Sequence, residues 1–135
     1  MRFPVLRRKP PVELRKEVLE EMTLLRERTP DVSGSVACTV DGIQIACDLE
    51  GDRGEQTAAL SAALLAMSRR MLTMTGHGAL EETLISGTAG FVAFYAAGPT
   101  IVLTVLAKPG ANVGLLRLEG RKTAAGLAAV AARRH

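Results

Sequence analysis

The chain has 135 residues, 47% of them hydrophobic and 23% charged, which is typical of one globular domain and excludes a disordered protein. Aromatic residues make up 3% and tryptophan is absent, which argues against a surface that stacks single-stranded nucleic acid. The formal net charge of +3 is uneven because basic residues cluster at both ends. No nucleic-acid-binding motif accompanies them, and we interpret them as solvated ends: Arg2, Arg7, Arg8, Lys9, Arg133, Arg134 and His135.

The chain opens with a predicted basic, flexible tail over residues 1–11, which ends in Pro10-Pro11. No apolar segment of the kind found in signal peptides follows the first basic residues, so we expect a cytoplasmic protein. One domain is predicted over residues 12–133, and residues 134–135 form the C-terminal end.

The first predicted helix covers residues 12–28. Charged residues cover most of its surface. Its apolar residues recur at helical spacing and form one face: Leu14, Val18, Met22 and Leu25. The Thr-Pro pair that follows ends the helix.

Two strand-like segments, 35–40 and 43–48, flank Asp41-Gly42. An Asp-Gly pair between such segments is a strong signal for a two-residue hairpin. Because side chains alternate along a strand, the simple hairpin register places six residues on one apolar face: Val36, Cys38, Val40, Ile43, Ile45 and Cys47.

Both cysteines lie in this hairpin. The simple register places Cys38 opposite Ile45 and Cys47 opposite Val36, so the two thiols are diagonal neighbours, roughly 7–8 Å apart. A disulfide requires Cα atoms closer than about 7 Å, and zinc sites use more closely spaced ligands than the eight residues that separate these cysteines. We therefore interpret them as buried thiols and predict no metal site.

A second helix is predicted over residues 55–74, and it is apolar on more than one side. A helix with this much apolar surface needs two partners. One is the sheet, and in a chain this short the other is a second copy of the molecule; the alternative is a fully buried central helix. The stripe that indicates the second partner consists of Leu60, Leu64, Met67, Met71 and Met74.

Residues 86–107 carry no charge and approach the length of a membrane span. However, Gly98-Pro99 interrupts the segment, and strand-forming residues are common on both sides of this pair. We therefore predict two strands joined by a tight turn and no membrane span.

Three further strands are predicted over residues 80–85, 91–96 and 100–106, followed by a helix over 113–132. The last of these strands is almost continuously apolar, which is typical of a central strand that is covered on both faces. The first contains two glutamates, which is typical of an edge strand. The order of elements predicts an α+β fold, with a five-stranded antiparallel sheet and helices on both faces.

The sequence offers no convincing catalytic constellation. Residues 114–123 resemble a phosphate-binding loop, but five residues separate the two glycines instead of four, and the segment has the pattern of a helix interior. No third group is evident that would orient His77 toward a cysteine nucleophile. We predict no enzyme activity, no catalytic residue and no cofactor.

Four segments resemble the roadblock/LC7 family in their order and spacing. Residues 29–36 (TPDVSGSV) resemble its TPGVxGAVVV entry into the first strand, and residues 40–46 (VDGIQIA) resemble its DGLPIA hairpin. Residues 62–68 (AALLAMS) resemble its middle helix, and residues 111–117 (ANVGLLR) its ANLGLLR segment. The resemblance covers residues 12–133 and is to the bacterial regulators of small GTPases, including those of actinobacterial operons.

This resemblance implies the αββαβββα, profilin-like topology of the family. It also implies a homodimer in which sheets join edge to edge and middle helices pair. The candidate dimer interface on the second helix is Leu60, Leu64, Met67 and Met71.

The resemblance further implies a non-enzymatic regulator or scaffold that binds a small Ras-like GTPase, with stimulation of GTP hydrolysis as one form of that regulation. The family supplies no fixed catalytic residue. Arg69 and Arg70 are the candidates for partner binding, because an activator can insert an arginine into a GTPase site; the alternative is that they are solvated. The alternative function is a scaffold for a sensor-kinase-like protein or a polarity complex, without effect on hydrolysis.

Overall fold

The computed structural model describes residues 10–49, 51 and 53–134. The predicted basic tail therefore lies almost wholly outside the described residues. The order αββαβββα is confirmed, and the elements are α1 (Val12–Arg28), β1 (Val32–Thr39), β2 (Gln44–Asp48), α2 (Gly54–Thr75), β3 (Thr83–Gly87), β4 (Gly90–Ala97), β5 (Ile101–Ala107) and α3 (Val113–Ala132).

The five strands form one antiparallel sheet in the order β2-β1-β5-β4-β3. The almost continuously apolar segment forms β5, which lies in the centre between β1 and β4, as predicted. Its residues from Ile101 to Val105 are all buried. β3 is an edge strand, also as predicted, and β2 is the other edge.

Helices cover both faces of the sheet. α1 and α3 pack on one face and against each other, and the predicted apolar residues of α1 lie there, with Val18, Met22 and Leu25 fully buried. Of the described helices, α2 alone packs on the opposite face. The α2 residues buried there are Gly54, Ala58, Ser61, Ala62 and Leu65.

The hairpin differs from the predicted register. Val36 pairs with Cys47 as expected, but Cys38 pairs with Gln44 instead of Ile45 because the register shifts at a bulge after Ala37. A bulge adds one residue to a strand and reverses the faces beyond it. Ile45 consequently packs in the α1–α3 core, whereas Cys38 packs beneath α2.

Two other expectations need correction. The strand predicted to begin at residue 80 begins at Thr83, because Glu81 and Glu82 turn away to contact α3. The C-terminal arginines are not simply solvated: Arg133 and Arg134 form ion pairs with Glu17 of α1. These contacts, chiefly the hydrogen bond from Arg133, hold the pKa of Glu17 below its usual value.

The uncharged segment 86–107 contains the end of β3, all of β4 and β5 and the turn between these two, so the prediction of two strands joined by a turn is confirmed. Among the described residues, no helix has the length and apolar character that crossing a membrane requires.

Candidate functional site

The inner side of α2 contacts the sheet through small residues. Ala58 and Ala62 are buried against it, and Ser61 accepts a hydrogen bond from the buried Thr104 of β5. The Cys38 thiol lies 3.5 Å from the carbonyl oxygen of Ala58. Small side chains allow the helix backbone to approach the strands closely; Leu65 is the one bulky α2 residue buried there, and most of the others lie on the outer side of the helix.

The outer side of α2 carries those bulky residues in an exposed stripe, here called the α2 stripe. Its members, spaced three and four residues apart on one side of the helix, are Leu60, Leu64, Met67, Met71 and Met74. Leu60, Met67 and Met71 are 64%, 67% and 65% exposed, and Leu64 is half-buried. A contiguous apolar surface of this kind marks an interaction site more often than a solvated face.

The sheet adds apolar residues on the same face. Register places Ile85 of β3 opposite Val92 of β4, and Val92 opposite Leu106 of β5. Ile85 is 42% exposed, while Val92 and Leu106 are half-buried. Sequence reasoning missed these residues, although the alternation of side chains along an edge strand could have indicated Ile85.

β3 is also open along its outer side. Among the described strands it pairs with β4 alone, and four of its five residues are exposed. An edge of this kind presents unpaired backbone N–H and C=O groups to any strand that approaches it. The candidate site therefore combines an apolar helix stripe with an available strand edge.

The two candidate arginines lie at different positions relative to the α2 stripe. At about 100° per residue, Arg70 projects beside the stripe and Arg69 projects from the opposite side of the helix. Arg70 is exposed and Arg69 is half-buried. Within the described part of the chain, neither forms an ion pair.

The other two candidate groups, Cys38 and His77, lie in different surroundings. Burial, and secondarily the charge of Asp41, raises the pKa of Cys38 to about 12, and a thiol of high pKa is a poor nucleophile at neutral pH. His77 is exposed, with Nδ1 2.7 Å from the hydroxyl of Thr75. No group of three metal-ligating side chains occurs among the described residues.

Comparison with known proteins identifies relatives of this fold. The Roadblock/LC7 domain model matches residues 18–107. The uncharacterized protein MJ0310 of Methanocaldococcus jannaschii is 31% identical over 108 residues, which cover 79% of this chain and 94% of that protein.

Two solved structures are similar in fold. An MglB with a tetrameric arrangement superposes with a TM-score of 0.83 at 17% identity, over 93% of this chain and 95% of that one. The Roadblock/LC7 domain from Streptomyces avermitilis superposes with a TM-score of 0.73 at 23% identity, over 78% of this chain and 89% of that one. At these identities the likeness concerns the fold.

Proposed function

This chain belongs to the Roadblock/LC7 family, and we propose that it acts in the cytoplasm as a homodimeric regulator that binds a small Ras-like GTPase. Members of the family are regulatory and adaptor proteins and not typically enzymes. The observation that carries the proposal is the α2 stripe, which is too apolar and too continuous for a solvated helix face.

Self-association is the first step of the proposal. In a two-fold dimer the same residues of both copies meet, so an antiparallel pair of α2 helices covers both stripes at once. Full burial of a leucine or methionine side chain contributes roughly 1.5–3 kcal/mol, so a few such residues can sustain a dimer. The β3 edges of the two copies would then lie available for pairing into one continuous sheet. The tetrameric arrangement of the similar MglB is consistent with a fold that assembles.

Binding of the GTPase is the second step. The family resemblance implies this partner, and paired α2 helices would form a platform with Arg70 at its margin. An arginine so placed could stabilise charge on a transferring phosphoryl group. Arg69, on the opposite side of the helix, would contribute less to the same platform. A sensor-kinase-like protein is the alternative partner of this surface.

The self-association is tested by a charge placed in the stripe. Met67→Asp or Leu64→Asp buries a carboxylate without a partner in the interface, so we expect the mass in sedimentation velocity to fall to that of one chain. The matched control is Ala66→Asp, since Ala66 is exposed on α2 but projects away from the stripe. It should keep the mass of the unaltered protein, which we expect to be at least twice that of one chain. An unchanged mass for Met67→Asp contradicts the proposed interface.

The partner is tested with purified small GTPases encoded beside this gene, each loaded with GDP or a GTP analogue. We expect binding to one nucleotide form by calorimetry, with loss of binding in Met67→Asp. Arg70→Ala should reduce any acceleration of GTP hydrolysis while Arg69→Ala, its control, changes it little. Binding with hydrolysis unaffected would favour the scaffold function, and absence of binding to either form would contradict the GTPase proposal.

A further inference from the structure

An ion cluster ties the start of β3 to α3. Arg117 Nε lies 2.5 Å from Glu82 Oε2, and Arg121 Nε donates to Glu82 Oε1 at 3.0 Å. Arg121 also reaches Glu81 at 3.2 Å. The two arginines are one turn apart on α3, and the side chain of Glu82 is only 15% exposed, so this cluster is better shielded than an ordinary surface pair.

Thr83, the first residue of β3, attaches the same end of the strand to α2 on the other face of the sheet. The Thr83 hydroxyl donates to Ser68 of α2 at 2.9 Å. Residues 82 and 83 thus attach the beginning of β3 to the helices on both faces of the sheet. The other residues of β3 are exposed, and the strand pairs with β4 alone among the described strands.

We propose that the cluster of Glu82, Arg117 and Arg121 is a positioning device for self-association: it holds β3 in the geometry in which a second copy pairs with it. This inference rests on the proposed homodimer. An edge strand that is already ordered loses less conformational freedom when it binds, so preorganisation increases affinity. Without the cluster, the segment between α2 and β3 would have to be ordered during association.

The test compares Glu82→Gln with the unaltered protein in a dilution series by sedimentation velocity. The substitution keeps the size of the side chain but removes the charge from its hydrogen bonds, which are of the stronger, charge-assisted kind. We expect the dissociation constant of the dimer to rise about tenfold. Glu17→Gln is the matched control: Glu17 also contacts two arginines, Arg133 and Arg134, but on α1 and away from β3. It should leave the dissociation constant unchanged.

A second measurement separates positioning from general stability. Hydrogen exchange in the monomeric Met67→Asp background should be faster at residues 83–87 when Glu82→Gln is added, and unchanged there when Glu17→Gln is added. An unaltered protein that is monomeric at every concentration refutes the homodimer itself. A dimeric protein whose dissociation constant is the same in Glu82→Gln, or whose β3 exchange is unaffected, overturns the positioning role alone.

Discussion

The two faces of the sheet solve the same packing problem with different outcomes. On the α1–α3 face two helices cover the strands and each other, and Val18, Met22 and Leu127 have no exposed surface. On the opposite face α2 alone covers the strands among the described helices, and Met67 and Met71 are about two-thirds exposed. The first face buries its apolar residues within a single copy, whereas the second leaves apolar surface exposed.

The difference originates in the residues that each helix turns toward the strands. α1 and α3 place large aliphatic side chains there, and these side chains form one core with the strands. α2 places Ala58, Ser61 and Ala62 there beside a single leucine, Leu65, so most of its large residues project outward. The open face is therefore not a poorly packed core; it is a packed layer with a second apolar surface on top.

The largest effect that would test this comparison comes from truncating one residue on each face. Leu127→Ala should lower the free energy of unfolding by about 2–5 kcal/mol, because it leaves a cavity in the α1–α3 core. Met67→Ala should change it by less than about 0.5 kcal/mol when unfolding is measured by urea at high dilution, where association contributes little. A loss of several kcal/mol in diluted Met67→Ala would mean that the stripe belongs to the core of a single copy.

A smaller effect tests how closely α3 lies on the sheet. A Cβ at Gly120 would lie 2.5 Å from the ring of Tyr95, so Gly120→Ala should cost about 1–3 kcal/mol through overpacking. At Gly114 in the same helix the nearest atom, on Asn112, lies 3.4 Å away, and Gly114→Ala should stabilise by up to about 1 kcal/mol. Thermal unfolding of the two variants checks the opposite signs. A stabilising Gly120→Ala would show that this layer is looser than the structure indicates.

Periodicity was enough to predict most of the fold. The bounds of α1 and α3 agree with those predicted, because their apolar residues follow one face, Thr29-Pro30 ends α1, and Pro109-Gly110 with the N-cap Asn112 precedes α3. The hairpin register was wrong after Ala37 because a bulge inserts one residue without a composition signal. The predicted start of β3 was wrong because Glu82 forms ion pairs with two arginines that lie 35 and 39 positions later in the chain.

The candidate site was predictable in part. The spacing of Leu60, Leu64, Met67 and Met71 predicted an apolar stripe, and the structure exposes most of it. The pattern alone could not indicate which side of α2 packs on the sheet, because this depends on how closely the alanine-rich side can approach the strands. Ile85 was not predicted as part of the site, because its exposure depends on the position of β3 at the edge of the sheet, and this position is set by the topology. The dimer contacts themselves stay a prediction.

The last test concerns the two thiols, and it asks whether α2 closes its own half of the core. Cys38 is fully buried beneath α2, whereas Cys47 is half-buried on the edge strand β2. In the folded protein we expect a thiol reagent to modify one cysteine at pH 8, and none in Cys47→Ser. Denaturant should make Cys38 reactive, and a folded Cys38 that reacts as fast as Cys47 would mean that α2 lifts from the sheet.

Raising the pH should not by itself expose the thiolate of Cys38, because burial raises its pKa from 9.0 to about 12. The unfolded chain loses this proton near pH 9 while the folded chain keeps it, so the fold should lose stability as the pH rises from 9 toward 12. Cys38→Ala should remove the loss between pH 9 and 10 in urea unfolding and reduce it above pH 10, where Tyr95 adds a loss of the same kind because burial raises its pKa to about 12 as well. An unchanged loss between pH 9 and 10 in Cys38→Ala would contradict this contribution of the buried thiol.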